Sequence, residues 1–193
     1  MSFLDPILVS AGVVALAEIG DKTQLLAIFL AARFRRPAPI ILGILVATLA
    51  NHALAATAGY FVSSFVHGRI FQIAVAVGFL AMAAWTLVPD KEDEAGGRKS
   101  IGGVFVTTLV AFFIVEIGDK TQIATTLLAA RFHDIALVTT GTTLGMLAAN
   151  VPAVLFGEAA TKVLPLKWIR LAAALVFAVL GLWLLITTLA VAR

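Results

Sequence analysis

The chain has 193 residues, 61% of them apolar and 13% charged, with a mean hydropathy of +1.05 and a formal net charge of +3. Soluble domains carry roughly 45–50% apolar and about 25% charged residues, so the soluble class is excluded and an all-α integral membrane protein is expected. The basic residues fall in the joints between apolar runs, which excludes a nucleic-acid reading of the charge, and the lack of cysteine excludes disulfides and thiolate metal sites.

A membrane-spanning helix needs about 20 apolar residues, and six runs reach that length: 6–32, 39–65, 70–88, 101–130, 135–160 and 166–190. The first opens without a basic n-region, so a cleaved signal peptide is not expected. Its centre reads EIGDKTQ, residues 18–24, which puts Glu18, Asp21 and Lys22 near the bilayer midplane. A central Asp, Lys or Arg costs roughly 2.5–3.5 kcal/mol there, which argues for function. On a continuous helix the spacing sets Glu18 and Asp21 on one face, with Gln24 a turn further on. Gly20 serves either close helix approach or a local break, and Thr23 is expected to bond back to a carbonyl one turn earlier.

The second run holds Asn51 near its centre, open to ligation or to interhelical hydrogen bonding, and His52 beside it reads as a packing residue. The third ends at Pro89, where PDKEDEAGGRKS, residues 89–100, forms a solvated linker whose acids could gather cations. EIGDKTQ then returns in the fourth run at 116–122, and residues 18–34 and 116–132 agree at twelve of seventeen positions. Gly118 and Thr121 carry the same expectations as Gly20 and Thr23. In the fifth run Asn150 matches Asn51 after a one-residue shift, and Pro152 predicts a kink. Trp183 of the sixth matches Trp85 of the third.

The expected organisation is one membrane domain, 1–193, built of repeat one (1–88), the linker (89–100) and repeat two (101–193). Three spans per repeat is an odd number, so six transmembrane helices would form two inverted three-helix repeats about a pseudo-twofold axis in the membrane plane. Nine Lys and Arg residues (33, 35, 36, 91, 98, 99, 162, 167, 170) fall on one side and three (69, 131, 193) on the other. The richer side should be cytoplasmic, leaving both termini outside.

Inversion would bring Glu116, Asp119 and Gln122 against Glu18, Asp21 and Gln24. The four carboxylates are the expected metal ligands, with Gln24, Gln122, Asn51 and Asn150 as secondary ones and Lys22 and Lys120 balancing charge or gating. An all-oxygen set suits hard cations such as Mn²⁺, Ca²⁺ or Mg²⁺. Four acids against two lysines leave a deficit that one divalent ion or two protons would neutralise, which predicts cation/proton exchange with the lipid bilayer as solvent. No cofactor beyond the transported ion is implied. The rivals are a divalent cation channel, an ion-pair network that only glues helices, and an intramembrane hydrolase, for which no nucleophile or activating His accompanies both copies.

Two copies of E-x-G-D-[KR]-[ST], at Glu18–Thr23 and Glu116–Thr121, with a charged linker between the halves, resemble the transmembrane protein 165 family of cation/proton exchangers. The resemblance covers the whole chain. It implies transport of Mn²⁺ and Ca²⁺ against protons by a protein that is not an enzyme, with the motif acids as the cation site. The short linker and the lack of an N-terminal extension look like a bacterial inner-membrane member, for which Mn²⁺ export is expected ahead of Ca²⁺. A Ca²⁺-preferring exchanger and a homo-oligomer stay open.

Overall fold

A computed structural model describes residues 4–66, 68–88, 102–157 and 166–190. The linker 89–100 and the joint 158–165, with Glu158, Lys162 and Pro165, lie outside the described residues. Among the described residues the regular elements are helices: α1 (Asp5–Glu18), α2 (Lys22–Phe34), α3 (Pro37–Phe65), α4 (Arg69–Thr86), α5 (Val104–Glu116), α6 (Lys120–Phe132), α7 (Ile135–Phe156) and α8 (Leu166–Ala190). Four of them, Pro37–Phe65, Arg69–Thr86, Ile135–Phe156 and Lys167–Ala190, are long and apolar enough to cross a membrane. Many of their large apolar side chains face outward, among them Leu54, Val179 and Ile186, each more than 60% exposed. In water such a surface would aggregate, and in lipid it is solvated. Pro152 lies within α7, which runs on past it to Phe156.

The runs 6–32 and 101–130, expected as continuous helices, are each two helices. Gly20 (φ 80°) and Gly118 (φ 75°) stand in the left-handed region, which glycine enters without the steric penalty that Cβ imposes. Ile19 and Ile117 before them are extended, and Asp21 and Asp119 after them are the extended N-cap residues of α2 and α6. Of the two roles open to these glycines, the structure shows the local break. It also corrects the expected geometry of the acids: Glu18 ends α1 and Asp21 caps α2, so they face each other across a break instead of sharing one helical face.

Packing exchanges partners between the halves. Helix α7 lies along both α1 and α2, α3 lies along both α5 and α6, and α4 packs on α8. Close approach needs small residues: a Cβ on Gly145 of α7 would strike the Ala11 carbonyl of α1, and one on Gly59 of α3 the Thr126 carbonyl of α6. The apolar core forms two clusters. One gathers Val13 of α1, Phe79 of α4, Leu128 of α6 and Phe177 of α8. The other gathers Leu26 and Leu30 of α2, Ile40 and Ile44 of α3, Phe112 of α5 and Val154 of α7. Each broken pair therefore sends one helix into each cluster, and both breaks fall where the clusters meet.

Candidate metal centre

The heptapeptide builds its own break. The Asp21 N–H donates to the Glu18 carbonyl at 3.0 Å, closing the turn, and the Gly20 N–H donates to Gln24 Oε1 at 2.9 Å. The second copy repeats both bonds, Asp119 N–H to the Glu116 carbonyl at 3.0 Å and Gly118 N–H to Gln122 Oε1 at 2.7 Å. Glutamine thus satisfies a backbone donor that the interrupted helix leaves without its usual acceptor. The Gln24 Nε2 then ties the break to α7 through the Ala149 carbonyl at 3.0 Å, while Gln122 Nε2 makes a long 3.5 Å contact with Asn51 Oδ1.

The two breaks bring the acids together. Glu18, Asp21 and Asp119, all buried, each offer a carboxylate oxygen within 4.8 Å of the others. Three ionised carboxylates this close in a low-dielectric interior are costly unless a cation or protons lie among them. Glu116 is not in that group of three. It is buried, its Oε1 accepts from Thr48 Oγ1 at 2.8 Å, and its Oε2 accepts from Asn51 Nδ2 at 3.0 Å. Asn51 Nδ2 also reaches the Phe113 carbonyl at 3.0 Å.

Asn150 does on α7 what Asn51 does on α3. Its Nδ2 donates to Glu18 Oε1 at 3.1 Å and to the Met146 carbonyl and thioether, each at 3.2 Å. Three acceptors therefore surround one amide nitrogen beside the acid cluster. Among the described residues Asn150 Oδ1 and Glu18 Oε2 have no hydrogen-bond partner, although both are buried. Buried oxygens of this kind are rare, and oxygen atoms so placed can hold a hard cation.

The lysines take unequal positions. Lys22 Nζ lies 3.0 Å from Asp119 Oδ1, so it pairs across the two repeats. Lys120 is almost wholly buried, donates to the Val88 carbonyl at 3.0 Å, and lies 5.9 Å over the ring of Trp85. Asp21 borders a narrow cleft shared with Lys120, Thr86 and Arg170. The threonines depart from expectation. Thr121 Oγ1 donates to Asp119 Oδ2 at 3.2 Å instead of to a carbonyl one turn back, and Thr23 Oγ1 has no partner among the described residues. The first suits the cap position of Asp119, whose carboxylate also accepts the Thr121 N–H at 3.3 Å. His52 is buried, with neither ring nitrogen hydrogen-bonded among the described residues.

Sequence reasoning missed Thr48, Met146 and the Ala149 carbonyl. Thr48 stands one turn before Asn51 and Met146 one turn before Asn150, a spacing that marks the same helix face. Their differing chemistry hid them, since repeat alignment puts Leu147 opposite Thr48 and Ala47 opposite Met146.

Comparison with known proteins gives the family. A family model described as "Divalent cation/proton antiporter GDT1" matches in two segments, residues 6–94 and 104–191, each holding one heptapeptide. A protein of Vibrio cholerae serotype O1 named "Putative manganese exporter" is 51% identical over 177 residues, which cover 90% of this chain and 87% of that protein. No solved structure matches the chain. With nearly its whole length matched and the heptapeptides paired around a buried carboxylate cluster, the chain belongs to the GDT1 family of divalent cation/proton antiporters.

Proposed function

We propose that this antiporter exports Mn²⁺, accepting Ca²⁺ as well, in exchange for protons at a single site shared by its two halves. The observation that carries the reading is the convergence of Glu18 and Asp21 from one heptapeptide with Asp119 from the other, buried and within 4.8 Å. Glu18, Asp21 and Asp119 hold the ion in the present conformation, and Glu116, fastened by Thr48 and Asn51, is the fourth acid of the set. Asn150 Oδ1 is the next oxygen at hand, followed by Asn51. Gln24 and Gln122, whose oxygens accept backbone N–H groups, contribute by holding the breaks in shape. Lys22 balances charge at Asp119, and Lys120 guards the cleft beside Asp21.

Oxygen ligands favour hard divalent ions, and the name of the Vibrio relative supports Mn²⁺ among them. Counting each broken pair as one crossing gives six spans in two inverted repeats. The reciprocal packing of α7 on α1–α2 and α3 on α5–α6 supports that count, as does the match of each half to the family model. Alternating access would then be a rocking of one repeat against the other about the midplane site. With Lys- and Arg-rich joints inward, the cleft at Asp21 faces the cytoplasm and both termini lie outside, in a bacterial inner membrane.

Proteoliposomes loaded with a Mn²⁺-sensitive dye test the reading. Mn²⁺ and Ca²⁺ uptake should rise when the lumen is made acidic and should drive protons out as the ion enters. Flux that ignores the pH gradient, or unitary currents in planar bilayers, would replace the exchanger with a channel.

A further inference from the structure

At the end of the bundle opposite the linker, α3, α6 and α8 finish and α1 and α4 begin. A cavity of about 260 Å³ opens there, and its polar lining is Ser63, Gln72, Arg131, His133, Thr187 and Thr188. Among the described residues no Asp or Glu lines it. Arg131 is half-buried and lies 5.0 Å over the face of Trp183. Among the described residues its guanidinium forms no ion pair and no hydrogen bond.

The neighbouring donors are aimed by their own partners. Thr188 Oγ1 has one hydrogen for two acceptors, the Leu184 carbonyl at 2.7 Å and Gln72 Oε1 at 3.0 Å. Ser63 Oγ donates its one hydrogen to the Tyr60 carbonyl at 2.7 Å, so in its 3.1 Å contact with His133 the Nδ1 must carry the proton. The hydroxyls of Ser63, Thr187 and Thr188 are thus turned to protein acceptors, and among the described residues Arg131 is the cationic group on this cavity.

Its other end is greasy. Arg131 also lines a second cavity of about 190 Å³ with Phe79, Leu128, Trp183 and the acid Asp5. That cavity shares Val9 and Leu180 with a third, of about 360 Å³, which is walled only by apolar residues and Gly12 between α1 and α8. Leu8, Leu175 and Val179 along it are each more than half exposed. The three lie in series, sharing Arg131 and then Val9 and Leu180, and make a crevice with Arg131 at the level where helices end and an apolar trough further in.

We infer that this crevice binds a phospholipid, its phosphodiester at Arg131 and one acyl chain in the trough between α1 and α8. Guanidinium and phosphate form charge-assisted, bidentate hydrogen bonds, and an acyl chain packs against the apolar walls of the trough. The inference is independent of the ion carried.

Native mass spectrometry of delipidated protein in detergent, titrated with dioleoyl phosphatidylglycerol, tests it. Inorganic phosphate supplies the anion without chains, and dioleoylglycerol the chains without the anion. Wild type should take up one phosphatidylglycerol and neither comparator. Arg131→Gln should weaken binding about tenfold, the effect of losing one hydrogen bond to a charged group. A Cβ on Gly12 meets nothing within 4 Å, so Gly12→Leu has open space at its first atom, reaches into the trough and should weaken binding comparably. Equal lipid binding by both variants, phosphate binding as well as lipid, or dioleoylglycerol binding as well as phosphatidylglycerol each overturns the assignment.

Discussion

Lys22 Nζ lies 3.0 Å from Asp119 Oδ1, so the cation of the first heptapeptide neutralises an acid of the second. Its repeat counterpart, Lys120, is directed to the Val88 carbonyl and the face of Trp85. The two halves of the site are therefore unlike in the conformation described. Replacing Lys22 by Met removes a positive charge beside three acids. At the effective dielectric of a partly exposed pair that charge contributes on the order of 1–4 kcal/mol. Mn²⁺ should bind at least about fivefold more tightly and leave more slowly, seen in liposomes as a lower apparent KM with a lower maximal rate. In a double-mutant cycle with Asp119→Asn the two changes should be non-additive by roughly 1 kcal/mol or more. Additive effects would mean that the pair is a surface contact with no part in the site.

The asparagines should separate by function. Asn150 touches Glu18 within the cluster of three acids, whereas Asn51 holds Glu116 outside it. Partners of ligating groups typically account for about 10–100-fold in metal affinity. Asn150→Ala should therefore raise the Mn²⁺ KM by about that factor. Asn51→Ala should leave KM within a few-fold and instead alter the pH dependence of the rate, because it frees Glu116, the fourth acid of the proposed set, from its hydrogen bond without touching the cluster of three. Initial rates of uptake across a pH series check both, and identical profiles for the two variants would count against separate roles.

The break is a matter of backbone sterics. Gly118 has φ 75°, and a Cβ there would meet nothing within 4 Å. Substitution is opposed by conformation alone, at about 1–2 kcal/mol for an ordinary residue and less for Asn, which tolerates the left-handed region. Thermal unfolding in detergent should rank the variants Gly, Asn, Ala, Val from most to least stable. Val as stable as Gly would show that the turn reshapes freely.

Much of this was legible in the chain. The doubled heptapeptide singled out the acids, of which the structure gathers Glu18, Asp21 and Asp119 and holds Glu116 apart, and the repeat singled out Asn51 and Asn150, because both are like letters at like spacing. The breaks were ambiguous for a physical reason: a two-residue reversal of backbone leaves hydropathy unchanged, and a glycine in an apolar run serves packing as readily as it serves a turn. What could not be read was the asymmetry. Thr48 grips Glu116 where repeat two has Leu147, and Met146 meets Asn150 where repeat one has Ala47. Repeat logic averages over such differences, and tertiary contacts between chain-distant helices decide them.

The central claim is that the ion and the protons occupy one buried site and exclude each other. The most direct measurement is proton release when Mn²⁺ is added to the purified protein in weakly buffered detergent, followed with a pH dye. A site neutral with either one divalent ion or two protons should release about two protons per Mn²⁺ bound. Glu18→Gln, which removes one member of the cluster, should release fewer and bind weakly. Stoichiometric Mn²⁺ binding with no proton release, or full release from Glu18→Gln, would contradict the account.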